Sequence, residues 1–198
     1  MPEHLPDFRD WSFLAGGSAD QRRAFDLLSR HRPFDRLAGQ DTGLAGTFPL
    51  DIAVDGSDLD ILVQADDPFS MAPILDAAFG HQPAYARRPA TVADGPALVA
   101  AFILDDLPVE IFVQSLPVER QMAWRHMLVE ARLLAIDPSL RPAIRALKQA
   151  GIKTEPAFAR LLTLPGDPYQ ALLSLEPMDD GALAGLLSQR RSAMPKWG

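Results

Sequence analysis

Cysteine is absent, lysine occurs only as Lys148, Lys153 and Lys196, and the 198 residues contain none of the common glycine-rich phosphate or nucleophile motifs. Each absence excludes something. Without thiols there are no disulfides, no thiolate zinc sites and no sulfur nucleophile, which fits a reducing compartment, and the cytoplasm is the expected location. The missing Gly-x-x-x-x-Gly-Lys loop, Gly-x-Gly-x-x-Gly fingerprint and Gly-x-Ser-x-Gly elbow remove the common kinase-like, dinucleotide-binding and hydrolase readings at motif level. No apolar run approaches the roughly 18 residues of a spanning helix, and no leader-like basic and apolar stretch opens the chain, so no membrane association is expected.

Positive charge is also in short supply. A formal charge of −7 argues against a broad nucleic-acid surface, which needs clustered Lys and Arg, and makes nucleic acid an unlikely partner by this reasoning. Small molecules or a protein partner are expected instead. His4, His31 and His81 share no ligand spacing, so zinc is not expected. Trp11, Trp124 and Trp197 are scattered and read as packing residues rather than a base-stacking platform. With 47% hydrophobic residues the chain can bury one full core, with room for a small appendage.

The periodicity predicts an N-terminal arm over 1–17, an α/β core over 18–116 and a helical part over 117–198. Ser18 and Gln21 form a Ser-x-x-Gln capping box for a helix ending near His31, before Pro33. Strands are expected at 44–47, 58–64, 84–88, 97–104 and 109–114, with a helix at 68–79 and a hairpin through Asp105-Asp106-Leu107-Pro108. From Val118 the pattern changes to successive helices at 118–136, 139–150, 156–164, 169–175 and 181–190. The fold class is α/β (α+β): a mixed sheet flanked by helices, with an all-helical C-terminal part.

Ser57-Asp58-Leu59-Asp60-Ile61-Leu62-Val63 is the most informative segment. Strand alternation puts Asp58 and Asp60 on one face and Leu59, Ile61 and Val63 on the other. Two adjacent carboxylates repel, and a divalent cation is the simplest counterweight; oxygen-only ligands favour Mg2+ or Mn2+. A bare Asp-x-Asp also serves as a solvated strand end. Glu110 shares the face of Phe112 on another strand, either beside a cation or facing water at an edge. Gly46-Thr47 closes the first strand, as a phosphate cradle or an ordinary turn. His126 and Glu130 lie four apart on one helix face, with Gln121 a turn earlier, placed to pair over a cleft or simply as a surface pair.

Gly46-Thr47, ten intervening residues, Asp58-Leu59-Asp60-Ile61 and a later strand with Glu110 resemble the signature of the polymerase-beta-like nucleotidyltransferase superfamily. Further stretches, Gly46 to Pro49, Ser57 to Asp60, Gln121 through His126 to Glu130, Gly151 to Phe158 and Asp167-Pro168-Tyr169, resemble an uncharacterised bacterial family of unknown function within it. The resemblance covers most of the chain. It implies two magnesium ions held by Asp58, Asp60 and Glu110, with Glu110 also helping to deprotonate an acceptor hydroxyl. Gly46, Thr47 and Ser57 would cradle the triphosphate, and the products would be a nucleotidylated small molecule or protein and pyrophosphate. Threonine stands where serine is commoner, and the arginine-containing stretch that often follows is missing. Lys148 or Lys153 would supply that charge, if they are not helix-end dipole partners. A second reading is a non-catalytic module, antitoxin-like or regulatory, that engages a protein partner through the helical half.

Overall fold

The computed structural model describes residues 5–193; His4 and Trp197 lie outside them. Two compact units divide between Trp124 and Arg125: Pro6–Trp124, which holds the sheet, and the chain from Arg125, joined by Leu5. In the first unit β1 (Asp41–Ala45), β2 (Leu59–Gln64), β3 (Ala86–Val92), β4 (Gly95–Leu104) and β5 (Leu107–Gln114) form one mixed sheet in the order β1-β2-β5-β4-β3. Only β2 and β5 pair in parallel; the other neighbours are antiparallel.

Alternation sorts the sheet into two faces. Leu59, Ile61 and Val63 stand level with Val109, Ile111 and Val113, which stand level with Phe102, Ala100 and Leu98. All of them are buried with Ala24, Leu27 and Leu28 of α1 (Ala19–His31) and with Leu75 and Phe79, so this face is the core. The other face carries Asp60 and Glu110. There Leu62, Val99 and Gln114 are buried, whereas Ala86, Arg88 and Ala101 are exposed, so the Asp60–Glu110 end is the open one.

The capping box of α1 forms as the sequence predicts. Ser18 N–H donates to Gln21 Oε1 at 3.1 Å, and Gln21 N–H donates to Ser18 Oγ at 3.3 Å. Gln21 does more than cap: its Nε2 donates to the Phe48 and Pro49 carbonyls at 3.1 and 3.2 Å. The helix start thereby holds the loop that follows β1. After α1, Arg32 adopts φ 50° and Pro33 opens the four-residue α2 (Pro33–Arg36).

The described part of the arm, 5–17, is ordered by a short helix and by contacts to the sheet edge. Asp10 caps a 3-10 helix over Trp11–Gly16, and Leu14 is wholly buried, while Trp11 meets Phe25 and Phe34 with ring centroids 5.5 and 5.9 Å apart. Arg9 anchors the arm to the sheet edge through Asp41 Oδ1 and the Thr42 carbonyl, both at 2.6 Å, through Glu119, and over the Trp124 ring.

Several boundaries differ from expectation, three of them with a local cause. β1 ends at Ala45 rather than Thr47, because Gly46 takes φ 78° and leaves the ladder. β3 runs on through Pro89 to Val92; a proline missing its N–H is tolerated there because β3 is an edge strand. The helix after Pro68 starts as a 3-10 turn over Pro68–Met71 and becomes α3 only at Ala72–Phe79.

From Met122 the described chain is helical: α4 (Met122–Ile136), α5 (Leu140–Gln149), α6 (Thr154–Leu162), α7 (Pro168–Leu173) and α8 (Asp180–Ala193). Within the second unit Met127, Leu133, Leu134, Ile144, Phe158, Leu172 and Leu183 are buried. Arg132 fastens α4 to the start of α8 through Asp180 at 2.9 Å and the Glu176 carbonyl at 3.1 Å. None of the helices in the described residues is long and apolar enough to cross a membrane.

Gln21→Ala removes the reciprocal half of the cap and the side-chain donor to the Phe48 and Pro49 carbonyls, of which Phe48 keeps the Asp51 N–H at 3.2 Å. We expect a loss of about 2 kcal/mol in urea denaturation, near the upper end for one buried polar network. A change within about 0.5 kcal/mol, the ordinary range for surface substitutions, would remove Gln21 as the tether of the 46–52 loop.

Candidate active site

The carboxylates are placed by strand pairing. β2 and β5 set Asp60 beside Glu110, and β1 sets Ala45 beside Asp60 on the other side. Partners in a ladder share a face and stand about 4.8 Å apart. Gly46 therefore adjoins Asp60, and Asp60 adjoins Glu110, across three neighbouring strands. Asp58 is half-buried and lies one residue before β2, so the ladder that orients Asp60 stops short of it.

Gly46 meets Asp60 closely. A Cβ at Gly46 would fall 1.9 Å from Asp60 Oδ2, and φ is +78°, so both sterics and backbone conformation call for glycine. The loop then turns through an Ile52 N–H to Thr47 carbonyl bond of 3.1 Å, leaving Thr47 partly exposed. Ser57 closes the next turn, its Oγ accepting from Val54 N–H at 3.0 Å.

Glu110 is about one-third exposed and lies 3.8 Å from the Arg88 guanidinium, which reaches across from β3. Sequence reasoning passed over Arg88; its signal is weak, one of two arginines in a polar edge strand. The donors around the site are carboxylates, which suit a hard cation. Among the described residues no three His, Cys, Asp or Glu side chains are gathered closely enough to hold a metal ion. Strand register brings Asp60 and Glu110 together, and their side-chain positions do not complete a ligand set with a third.

The expected place of Gln121, a turn before His126 and Glu130 near their helix face, is corrected. Gln121 precedes α4 with extended geometry (φ −69°, ψ 142°), and its buried amide donates to the Val63 and Leu116 carbonyls at 3.1 and 3.0 Å. It secures the back of β2. His126 and Glu130 belong to the helical unit, as do Lys148 on α5 and Lys153 at the start of α6. His126 Nε2 lies 3.0 Å from the Tyr169 carbonyl, which accepts its proton and leaves Nδ1 facing Glu155 at 3.8 Å. Both residues are buried, so a surface pair is excluded.

Glu130 is 3% exposed and its Oε1 has no hydrogen-bond partner. Burial, reinforced by the neighbouring Glu155 charge and opposed by Lys148, holds its carboxyl well above the usual range. Burial thus favours the protonated, neutral form of this carboxyl.

A groove of about 440 Å³ lies between α1 and the β4–β5 turn, lined by Arg22, Arg23, Arg30, Asp105 and Asp106 among others. Its arginines are already engaged: Arg23 pairs with Asp106 at 2.7 Å and Arg30 with Asp105 at 2.6 Å. None of the site carboxylates lines it.

Comparison with known proteins shows that the mixed sheet flanked by helices has a nucleotidyltransferase-like fold. Residues 26–175 match the family described as Domain of unknown function (DUF4269), and the chain belongs to that family. Among solved structures, the Cid1 poly (U) polymerase with bound Mg 3'-dATP aligns at TM-score 0.52 and 14% identity, covering 82% of this chain and 52% of that one. The GLD-2/RNP-8 complex aligns at 0.48 and 14%, covering 84% and 62%. The chain thus spans about half the length of the polymerases it resembles, and the likeness concerns the fold. No curated protein matches significantly. The expectation that nucleic acid is an unlikely partner finds no support in these comparisons.

Two measurements check this geometry. Gly46→Ala adds both backbone strain and a collision with Asp60, whereas Gly39→Ala, at φ 94° with open space around it, adds only strain. We expect Gly46→Ala to cost about 2–4 kcal/mol in urea, clearly more than Gly39→Ala at about 1 kcal/mol; equal costs would mean the contact is unimportant. For Glu130 the folded-state pKa is raised, so its stabilising contribution is complete below the unfolded value of about 4.3 and is lost as pH rises through the folded value. The stability advantage of Glu130→Gln over the natural chain should therefore grow with pH across that window. A gap that stays flat contradicts the upward shift at Glu130.

Proposed function

We propose that this chain is a magnesium-dependent nucleotidyltransferase, moving a nucleoside monophosphate from a nucleoside triphosphate to a hydroxyl of a small molecule or protein. The observation that carries the reading is the pairing of Asp60 with Glu110 on adjacent strands at the open end of one sheet face, with Gly46, just past β1, against Asp60. The overall likeness to a poly (U) polymerase supports it.

Asp58, Asp60 and Glu110 would hold Mg2+ or Mn2+, which supplies charge neutralisation for the triphosphate when bound. Gly46, without a side chain, lets a phosphate approach the backbone, and the Thr47 and Ser57 hydroxyls offer donors beside it. Glu110, next to Asp60 and open to solvent, is placed to accept the proton of the acceptor hydroxyl as its oxygen attacks the α-phosphorus. The bond from that phosphorus to the pyrophosphate oxygen breaks, and pyrophosphate leaves. Lys148 and Lys153, on the helical unit, are secondary candidates for phosphate contacts. The cysteine-free composition suits a cytoplasmic site of action.

One observation favours a second reading. Threonine at 47, the missing arginine-containing stretch and the helical half after Met122 suit a relative that keeps the fold and engages a protein partner without catalysis.

A melting-temperature screen of the four nucleoside triphosphates, with and without Mg2+, separates the two. The enzymatic reading predicts a rise of about 3–6 °C with at least one nucleotide, only when Mg2+ is present, and its loss in Asp58→Asn and Asp60→Asn. No rise with any nucleotide, together with recovery of one stoichiometric partner protein, would favour the non-catalytic module.

A further inference from the structure

The acidic face of the sheet carries a cation that the resemblance does not assign. Arg88 stands on edge strand β3, level with Val99 on β4 and, through it, Phe112 on β5. It therefore shares the face of Asp60 and Glu110. Between Glu110 and β3 the sheet presents Ala101 and then Ala86, both exposed, and such small side chains leave an open lane. Arg88 leans along this lane to within 3.8 Å of Glu110 while keeping 64% of its side chain exposed.

That contact leaves the guanidinium largely uncommitted. Its separation from Glu110 exceeds hydrogen-bond length, and no hydrogen bond from Arg88 to another described residue is present. Five N–H donors in a planar fork fit an oxyanion two at a time. Arg87, next in sequence, differs: it points to the opposite face and is committed to Asp76 at 2.8 and 3.1 Å.

The order of strands says which end of a substrate Arg88 would meet. Gly46 and Thr47 follow β1 at one end of the acidic row, and Arg88 lies at the other, with Asp60 and Glu110 between them. At about 4.8 Å per strand, β1 and β3 are about 19 Å apart, too far for one triphosphate to be gripped at both ends together with the carboxylates.

We propose that Arg88 is an acceptor-binding residue, and that the acceptor is an anionic hydroxyl compound whose phosphate or carboxylate seats on the Arg88 guanidinium while its hydroxyl lies at Glu110. This rests on the nucleotidyltransferase reading for the role of Glu110. Glu110 and the acceptor's anion then share one guanidinium. Neutralising Glu110 therefore strengthens anion binding at Arg88, a response that a merely structural arginine would not give.

The test uses the full-length chain in metal-free buffer, titrated with inorganic phosphate and separately with acetate while melting temperature and calorimetric heat are followed. Phosphate should bind the natural chain, about tenfold more weakly to Arg88→Ala and with intermediate affinity to Arg88→Lys. Glu110→Gln should tighten it about threefold. A preference for phosphate over acetate assigns a phosphorylated acceptor, and the reverse a carboxylate. Phosphate binding that is absent, or equal in Arg88→Ala and the natural chain, overturns the proposal. A parallel Mn2+ titration keeps the two readings apart. Mn2+ binding with no Arg88-dependent phosphate binding rejects the acceptor clamp alone; Arg88-dependent phosphate binding without any Mn2+ binding rejects the metal-dependent reading instead.

Discussion

Two acidic residues face one another across the single parallel ladder of the sheet. Asp60 and Glu110 come from segments fifty residues apart, and only the parallel register of β2 with β5 makes them neighbours. Parallel pairing needs a crossover, provided here by α3 and the β3–β4 hairpin. On the reverse of the same strands, Leu59, Ile61, Val63, Val109, Ile111 and Val113 are all at most 1% exposed. A slip of one residue would turn those six out of the core and the acids into it, so the hydrophobic face fixes the register that the acidic face uses.

Several other features protect this arrangement. Gly46 makes room beside Asp60, and Gln21 ties the loop after Gly46 to the start of α1. Gln121 donates to the Val63 carbonyl near the far end of β2. Arg9 fastens the N-terminal segment to β1 through Asp41. Polar side chains thus tie down the surroundings of a strand pair whose own position is set by apolar burial.

Much of the fold could be read from local pattern. The Ser18–Gln21 box, the punctuation at Pro33 and the hairpin expected through Asp105 to Pro108 depend on residues close in sequence; the first two sit where expected, and the hairpin forms with a tighter turn of Asp105-Asp106, Leu107 and Pro108 joining β5. Boundaries moved where tertiary context overrode propensity. Pro89 reads as a stop, yet it lies inside β3 because that edge has no partner for its missing N–H. The arm looked aperiodic because its order comes from aromatic contacts and from Arg9 rather than from a repeating stripe.

The site was legible in its acids and hidden in its surroundings. Asp58-Leu59-Asp60 announces itself by alternation, and Glu110 by an acid amid β-formers. Which strand adjoins which is a matter of topology, and so is the reach of Arg88 to Glu110 across β4. The helix period misled at Gln121, where a 3-10 turn over Val118–Arg120 and an extended residue precede α4 and turn its side chain toward β2. Spacing by four placed His126 and Glu130 together correctly but gave no hint that both are buried, since burial comes from the helices packed around them.

Anomalous diffraction from crystals grown with Mn2+ and a non-hydrolysable nucleoside triphosphate addresses the central claim directly. The account predicts manganese within about 2.2 Å of carboxylate oxygens from both Asp60 and Glu110, at the open end of the sheet face, with the triphosphate extending toward Gly46. Nucleotide bound elsewhere, or manganese held by neither of these two residues, would contradict it.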